Sequence, residues 1–156
     1  MMQILYQILT AFAGSLGFAL LFNMSKGKLW ISALGGALCW GVYLLAANMG
    51  LGEFLSCVFA ALAAGLSAEI MARKLKAPTT LFYVPMVIPL VPGRTLYYTM
   101  IQIFEKNRAS AAAYAYQTAY CCLGIAVGLG FAIFIAHLYG TIVHRKPKGK
   151  VRKPLE

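Results

Sequence analysis

The chain has 156 residues, of which 61% are hydrophobic and only 12% charged. A soluble domain of this length has too little interior to hide that much apolar surface. The net charge of +10 does not indicate nucleic acid, because the basic residues sit in short clusters between and after the apolar runs, where topology signals and lipid-headgroup contacts belong.

Apolar runs near the ~20 residues needed to cross a bilayer recur along the chain. They predict an all-α integral membrane protein with five transmembrane helices in residues 1–143. Span 1 covers residues 4–22; no basic stretch or small-residue cleavage site precedes it, so no removed signal peptide is expected. Asn23 follows it as a cap or a lining residue of the inner mouth. Span 2 covers residues 29–47, with Trp30 as an interfacial anchor. Span 3 covers residues 54–71 and holds Glu69, with Arg73 four residues on along the same helical face. An ion pair is the first reading of these two; a proton-coupling carboxylate is the second. Span 4 covers residues 79–104. Span 5 covers residues 114–138, with Tyr114, Tyr116 and Tyr120 as an aromatic belt at its outer end. His137 and His144 lie near its inner end and read as structural interfacial residues. Residues 144–156 form a basic tail, too polar and proline-containing to pack, which predicts disorder and contact with anionic headgroups.

The basic residues orient the chain. Lys26 and Lys28 lie between spans 1 and 2, Arg73, Lys74 and Lys76 between spans 3 and 4, and six more in the tail. With five crossings these eleven of fourteen basic residues share one side, which places the N-terminus outside and the tail in the cytoplasm. A re-entrant span 4 would put the tail opposite the other two clusters, so span 4 is expected to cross. Small residues recur at four-residue spacing in Ala13/Gly17, Ala37/Gly41, Ala61/Gly65 and Gly124/Gly128. Such pairs let helices approach closely in lipid. In a chain with 15 glycines, chance alone supplies some, and half are expected to be real contacts.

Span 4 contains "PMVIPLVPGR", residues 85–94. Pro85, Pro89 and Pro92 each lack a backbone N–H, which predicts free carbonyls at Leu81, Pro85 and Ile88. An unpaired polar group in hydrocarbon costs several kcal/mol, so such a break belongs where protein or a wet cavity surrounds it. Gly93 is expected to supply a backbone angle other residues avoid. A second helical piece then starts at Arg94, with Thr95 in its first turn. The predicted element is a helix broken near mid-span. Its open amides, positive dipole end and Arg94 together suit a small solute with an anionic end. The competing reading is a kinked structural helix with Arg94 reaching the outer headgroups. Only one broken element is present and no internal repeat is visible, so a second is expected from another chain.

Enzymatic chemistry finds little support. The chain has no Asp, no H-E-x-x-H, no G-x-S-x-G and no His/Cys metal spacing; neither a metal nor a cofactor is expected. Cys39, Cys57, Cys121 and Cys122 lie within apolar runs and read as small packing residues, with a redox role for the vicinal pair as the alternative.

"GFALLFN" (residues 17–23), "EIMARKLKAPTTLF" (69–82) and "VIPLVPG" (87–93), followed by Tyr97 and Tyr98, resemble the threonine/serine exporter family, in particular its small membrane subunit. The resemblance runs from span 1 to span 5. It implies a bacterial cytoplasmic-membrane exporter of small polar metabolites, either threonine/serine-type amino acids or dicarboxylates such as succinate. It also implies a larger homologous partner subunit, because the family occurs as a fused ten-span protein or as two chains. Homo-oligomers are a further possibility, and a non-transporting scaffold is the rival function. The pathway residues expected are Pro85, Pro89, Pro92, Gly93, Arg94, Thr95, Tyr97 and Tyr98, with Glu69 and Arg73 for coupling.

Overall fold

The computed structural model describes residues 2–143. The tail, with His144 and its six basic residues, lies outside them. Every regular element among the described residues is helical: α1 (Met2–Leu21), α2 (Lys26–Asn48), α3 (Glu53–Leu75), α4 (Thr80–Val87), a 3₁₀ turn (Ile88–Leu90), α5 (Gly93–Phe104) and α6 (Arg108–Val143). Four of these, α1, α2, α3 and α6, are long and apolar enough to cross a membrane. The predicted fourth span is the broken one, divided into α4, the turn and α5.

Four helices end in the same way. A residue with positive φ closes each: Asn23 (51°), Gly50 (77°), Lys76 (47°) and Lys106 (58°). The amide that follows bonds back across the last turn, as in Met24 to Ala19 (3.3 Å), Leu51 to Ala46 (3.3 Å), Ala77 to Ala72 (3.0 Å) and Asn107 to Gln102 (3.0 Å). These bonds satisfy end carbonyls that the helix leaves open. Asn23 is therefore a C-terminal cap. Helix α6 begins earlier than the expected 114 because Asn107 Oδ1 accepts from the amide of Ser110 (3.3 Å), an N-cap that hydropathy does not register.

Helices α1 to α4 form the bundle, around Phe82 and Met86 of α4, both fully buried. Gly35 and Gly36 let α4 lie against α2: a Cβ on Gly35 would stand 2.6 Å from the Met86 sulfur, and one on Gly36 would collide with Ser15 Oγ. Helix α3 packs most extensively on α6. Their contacts advance together, with Gly124 against Phe54, Gly128 against Val58, and Ala132 against Gly65. The two helices are thus parallel, and residues 76–107 carry the chain back from one end of the bundle to the other. That is the path of a crossing segment; a hairpin would have left α6 antiparallel to α3.

Half of the small-residue pairs are close contacts. A Cβ on Gly124 would meet the Phe54 carbonyl at 2.6 Å, and Gly65 and Gly128 are equally enclosed, whereas nothing lies within 4 Å of the Cβ position at Gly17 or Gly41. The α3–α6 register sets the break against its neighbours. Gly124 is level with the second residue of α3, so residues 108–123 extend about 24 Å past it if α6 runs straight. Leu90 is level with Cys57 and Cys121. The break lies near the middle of the predicted span 4 and level with the N-terminal turns of α3, and α5 packs substantially on α6 alone.

Candidate functional site

The break itself is residues 88–92. Pro85 lies inside α4 and is buried, so the helix does not open there. Pro89 occupies the first turn of the 3₁₀ segment, where a missing N–H costs nothing. The Ile88 carbonyl, expected to be free, accepts from Val91 N–H (3.1 Å). Val91 then turns extended (ψ 122°), and Pro92 (φ −78°, ψ 53°) caps α5. Gly93 is the first residue of α5 with no positive φ and no neighbour within 4 Å of its Cβ position. The expectation of an unusual angle at Gly93 is thus corrected; proline at 89 and 92 makes the turn.

At the start of α5, Gly93 N–H is taken by Val91 O (2.7 Å) and Leu96 N–H by Pro92 O (3.1 Å), while the amides of Arg94 and Thr95 find no backbone carbonyl among the described residues. These two open donors sit at the positive end of the α5 dipole. Thr95 Oγ1 donates to Pro92 O (3.1 Å) and accepts from Thr118 Oγ1 (2.8 Å), which ties α5 to α6. Tyr98 stacks on Tyr114 with centroids 5.4 Å apart, and the Arg94 guanidinium lies 5.7 Å from the Tyr98 ring.

A cavity of about 240 Å³ opens beside the break. Its walls are Trp40 and Tyr43 of α2, Glu53 of α3, residues 89–92, Arg94 and Thr95 of α5, and Gln117 and Cys121 of α6. Of the expected pathway residues, Pro89, Pro92, Arg94 and Thr95 line it. Pro85, Gly93, Tyr97 and Tyr98 do not: Pro85 packs toward Gly36, and Tyr97 is exposed. Glu53 and Arg94 place opposite charges on one cavity, and no ion pair joins them among the described residues. The Trp40 indole N–H is buried without a partner among the described residues. Glu53, Trp40 and Gln117 were not singled out from sequence. Glu53 stands one residue before the apolar run and looks like a loop acid; only its half-buried place at the first turn of α3 could have marked it.

Glu69 and Arg73 are paired, with Arg73 Nε 3.6 Å from Glu69 Oε2. Arg73 also donates to the Ala136 carbonyl (2.7 Å), and Tyr83 O–H donates to Glu69 Oε1 (3.3 Å). They line a separate, mainly apolar cleft of about 450 Å³ between α3 and α6. Glu69 stands sixteen positions after Glu53 along α3, about 24 Å of helix, so the two groups do not share a site. The cysteines pair differently from the vicinal expectation: Cys57 and Cys121 sulfurs are 3.0 Å apart, while Cys122 is exposed.

A bundle of apolar helices with one helix broken over a charged cavity defines a multi-pass α-helical membrane protein. The family model described as threonine/serine exporter, ThrE, matches residues 7–135. The chain belongs to the threonine/serine exporter family, which is a family of transporters. No solved structure matches it.

Proposed function

We propose that the chain is the small membrane subunit of a two-component exporter of small polar metabolites, and that the cavity at the break holds the solute. The observation that carries this reading is the pair of opposite charges, Arg94 and Glu53, on one cavity of about 240 Å³. Arg94 and the open amides of Arg94 and Thr95 suit a carboxylate. Glu53 suits an ammonium group and would repel a second carboxylate. A zwitterionic amino acid of the threonine/serine type therefore fits better than a dicarboxylate such as succinate. Thr95, Gln117 and the unpartnered Trp40 N–H offer hydrogen bonds to a hydroxyl.

Two features support a larger homologous partner. Only one broken helix is present among the described residues, where transporters of this type use two. Helix α5 also turns Leu96, Tyr97, Met100, Ile103 and Phe104 outward with no helix over them among the described residues. The membrane is the bacterial cytoplasmic membrane, with the N-terminus outside and the tail inside, by the distribution of Lys and Arg. Glu69, held by Arg73 and Tyr83 at the opposite end of α3, is the candidate for proton coupling.

The test is efflux of L-threonine and succinate from vesicles containing this chain with its partner, with either omitted. Glu53→Gln and Arg94→Ala are then compared. L-threonine efflux that needs both chains and both charges supports the reading. Efflux that needs both chains but ignores both charges means a scaffold role instead.

A further inference from the structure

We propose that Cys57 and Cys121 form a peroxide-reactive dithiol, a modification site that clamps α3 to α6 beside the cavity when oxidised. The sulfurs are 3.0 Å apart, and need close by only about 1 Å to reach the ~2.05 Å of a disulfide. The helices are already held together at this level, since Gly124 lies against Phe54 and Cys57. The pair is asymmetric. Cys57 is fully buried, while Cys121 is slightly exposed and lines the cavity. A small neutral oxidant entering the cavity meets Cys121 first.

Hydrogen peroxide is the oxidant class that fits. The Cys121 sulfur, losing its proton, attacks one peroxide oxygen; the O–O bond breaks and the other oxygen leaves as water, giving a sulfenic acid. The Cys57 sulfur, losing its proton, attacks the Cys121 sulfur, and the sulfenic oxygen leaves as a second water. Two electrons pass from the thiols to the peroxide. Cys121 S–H also reaches the Leu90 carbonyl at 3.5 Å. Oxidation removes that hydrogen, so the state of the dithiol is felt directly in the broken segment. Cys122 is one residue away but exposed, and Cys39 instead approaches the Ala60 carbonyl at 3.4 Å.

The experiment uses the purified full chain in detergent or nanodiscs. It is treated with hydrogen peroxide, denatured, alkylated with iodoacetamide and weighed, then mapped by peptide. Reduced protein should carry four labels, one per cysteine; oxidised protein should carry two, with Cys57 joined to Cys121. Cys122→Ala should still form the crosslink. Cys57→Ala should instead accumulate a dimedone-reactive sulfenic acid at Cys121. Four labels after peroxide, or a Cys121–Cys122 bond in place of the Cys57–Cys121 bond, would each overturn the assignment. None of these readouts depends on transport, so they stand or fall separately from the exporter reading.

Discussion

Arg94 lies at the mouth of the cavity, held over the Tyr98 ring with its own amide unused at the start of α5. A charge-assisted hydrogen bond contributes about 1.5–3 kcal/mol, so Arg94→Ala should weaken apparent affinity for carboxylate solutes by about ten- to a hundredfold. Arg94→Lys should restore only part of this, because an ammonium lacks the planar fork that grips a carboxylate. Efflux kinetics normalised to assembled complex are the measurement; wild-type affinity in Arg94→Ala for every carboxylate tested would leave the arginine as a headgroup anchor. Glu53→Gln should separate solutes by charge. It removes the partner of an ammonium and the repulsion of a second carboxylate, so L-threonine efflux should fall and succinate efflux hold or rise. Competition between the two solutes reads this directly, and a parallel fall in both would show that Glu53 supports the fold instead.

Helix α4, the 3₁₀ turn and α5 act as one device only because Pro89 and Pro92 prevent the backbone from continuing. Pro89→Ala with Pro92→Ala should insert and assemble but lose efflux, since a regular helix would pair the amides of Arg94 and Thr95. Retained efflux in the double variant would count against the break as the site. The α3–α6 pairing makes a different prediction, on stability. A Cβ at Gly128 would press on the Val58 carbonyl and stand 2.8 Å from Ala61 Cβ, both in the facing helix. Gly128→Ala should therefore destabilise by about 1–3 kcal/mol, as overpacking does. Gly41→Ala, with nothing within 4 Å, should gain up to ~1 kcal/mol from lower backbone entropy in the unfolded chain. Thermal unfolding of the two variants in detergent should shift in opposite directions.

The described residues divide into a bundle of α1 to α4 with the second part of α6, and a hairpin of α5 with the first part of α6. Because α3 and α6 are parallel, both ends of the connecting segment are defined: Lys76 at the end with Lys26 and Arg73, Lys106 at the other. A cysteine at Glu105→Cys in a Cys-free background should react with an impermeant label from outside the cell only. Labelling from the cytoplasm alone would reverse the proposed orientation. The outward apolar face of α5 predicts that the chain alone is inactive and self-associates, and that its partner covers this face. Saturable efflux by a demonstrated monomer would contradict it.

Hydropathy and charge were enough to identify a polytopic helical membrane protein, to find its segments and to expect a crossing at span 4. Each of those features is written in contiguous residues: twenty apolar positions make a span, and a cluster of lysines marks a side. The proline break was visible for the same reason. Its level against the other helices was not, because that depends on which residues of α3 and α6 stand side by side, and that register comes from Gly124 and Gly128 meeting Phe54 and Val58. The same holds for partners. Glu53 and Arg94 are far apart in the chain and share a cavity only because α5 folds back along α6. Cys121 points to Cys57 and not to its neighbour, since adjacent helical residues diverge by about 100° and cannot share a face.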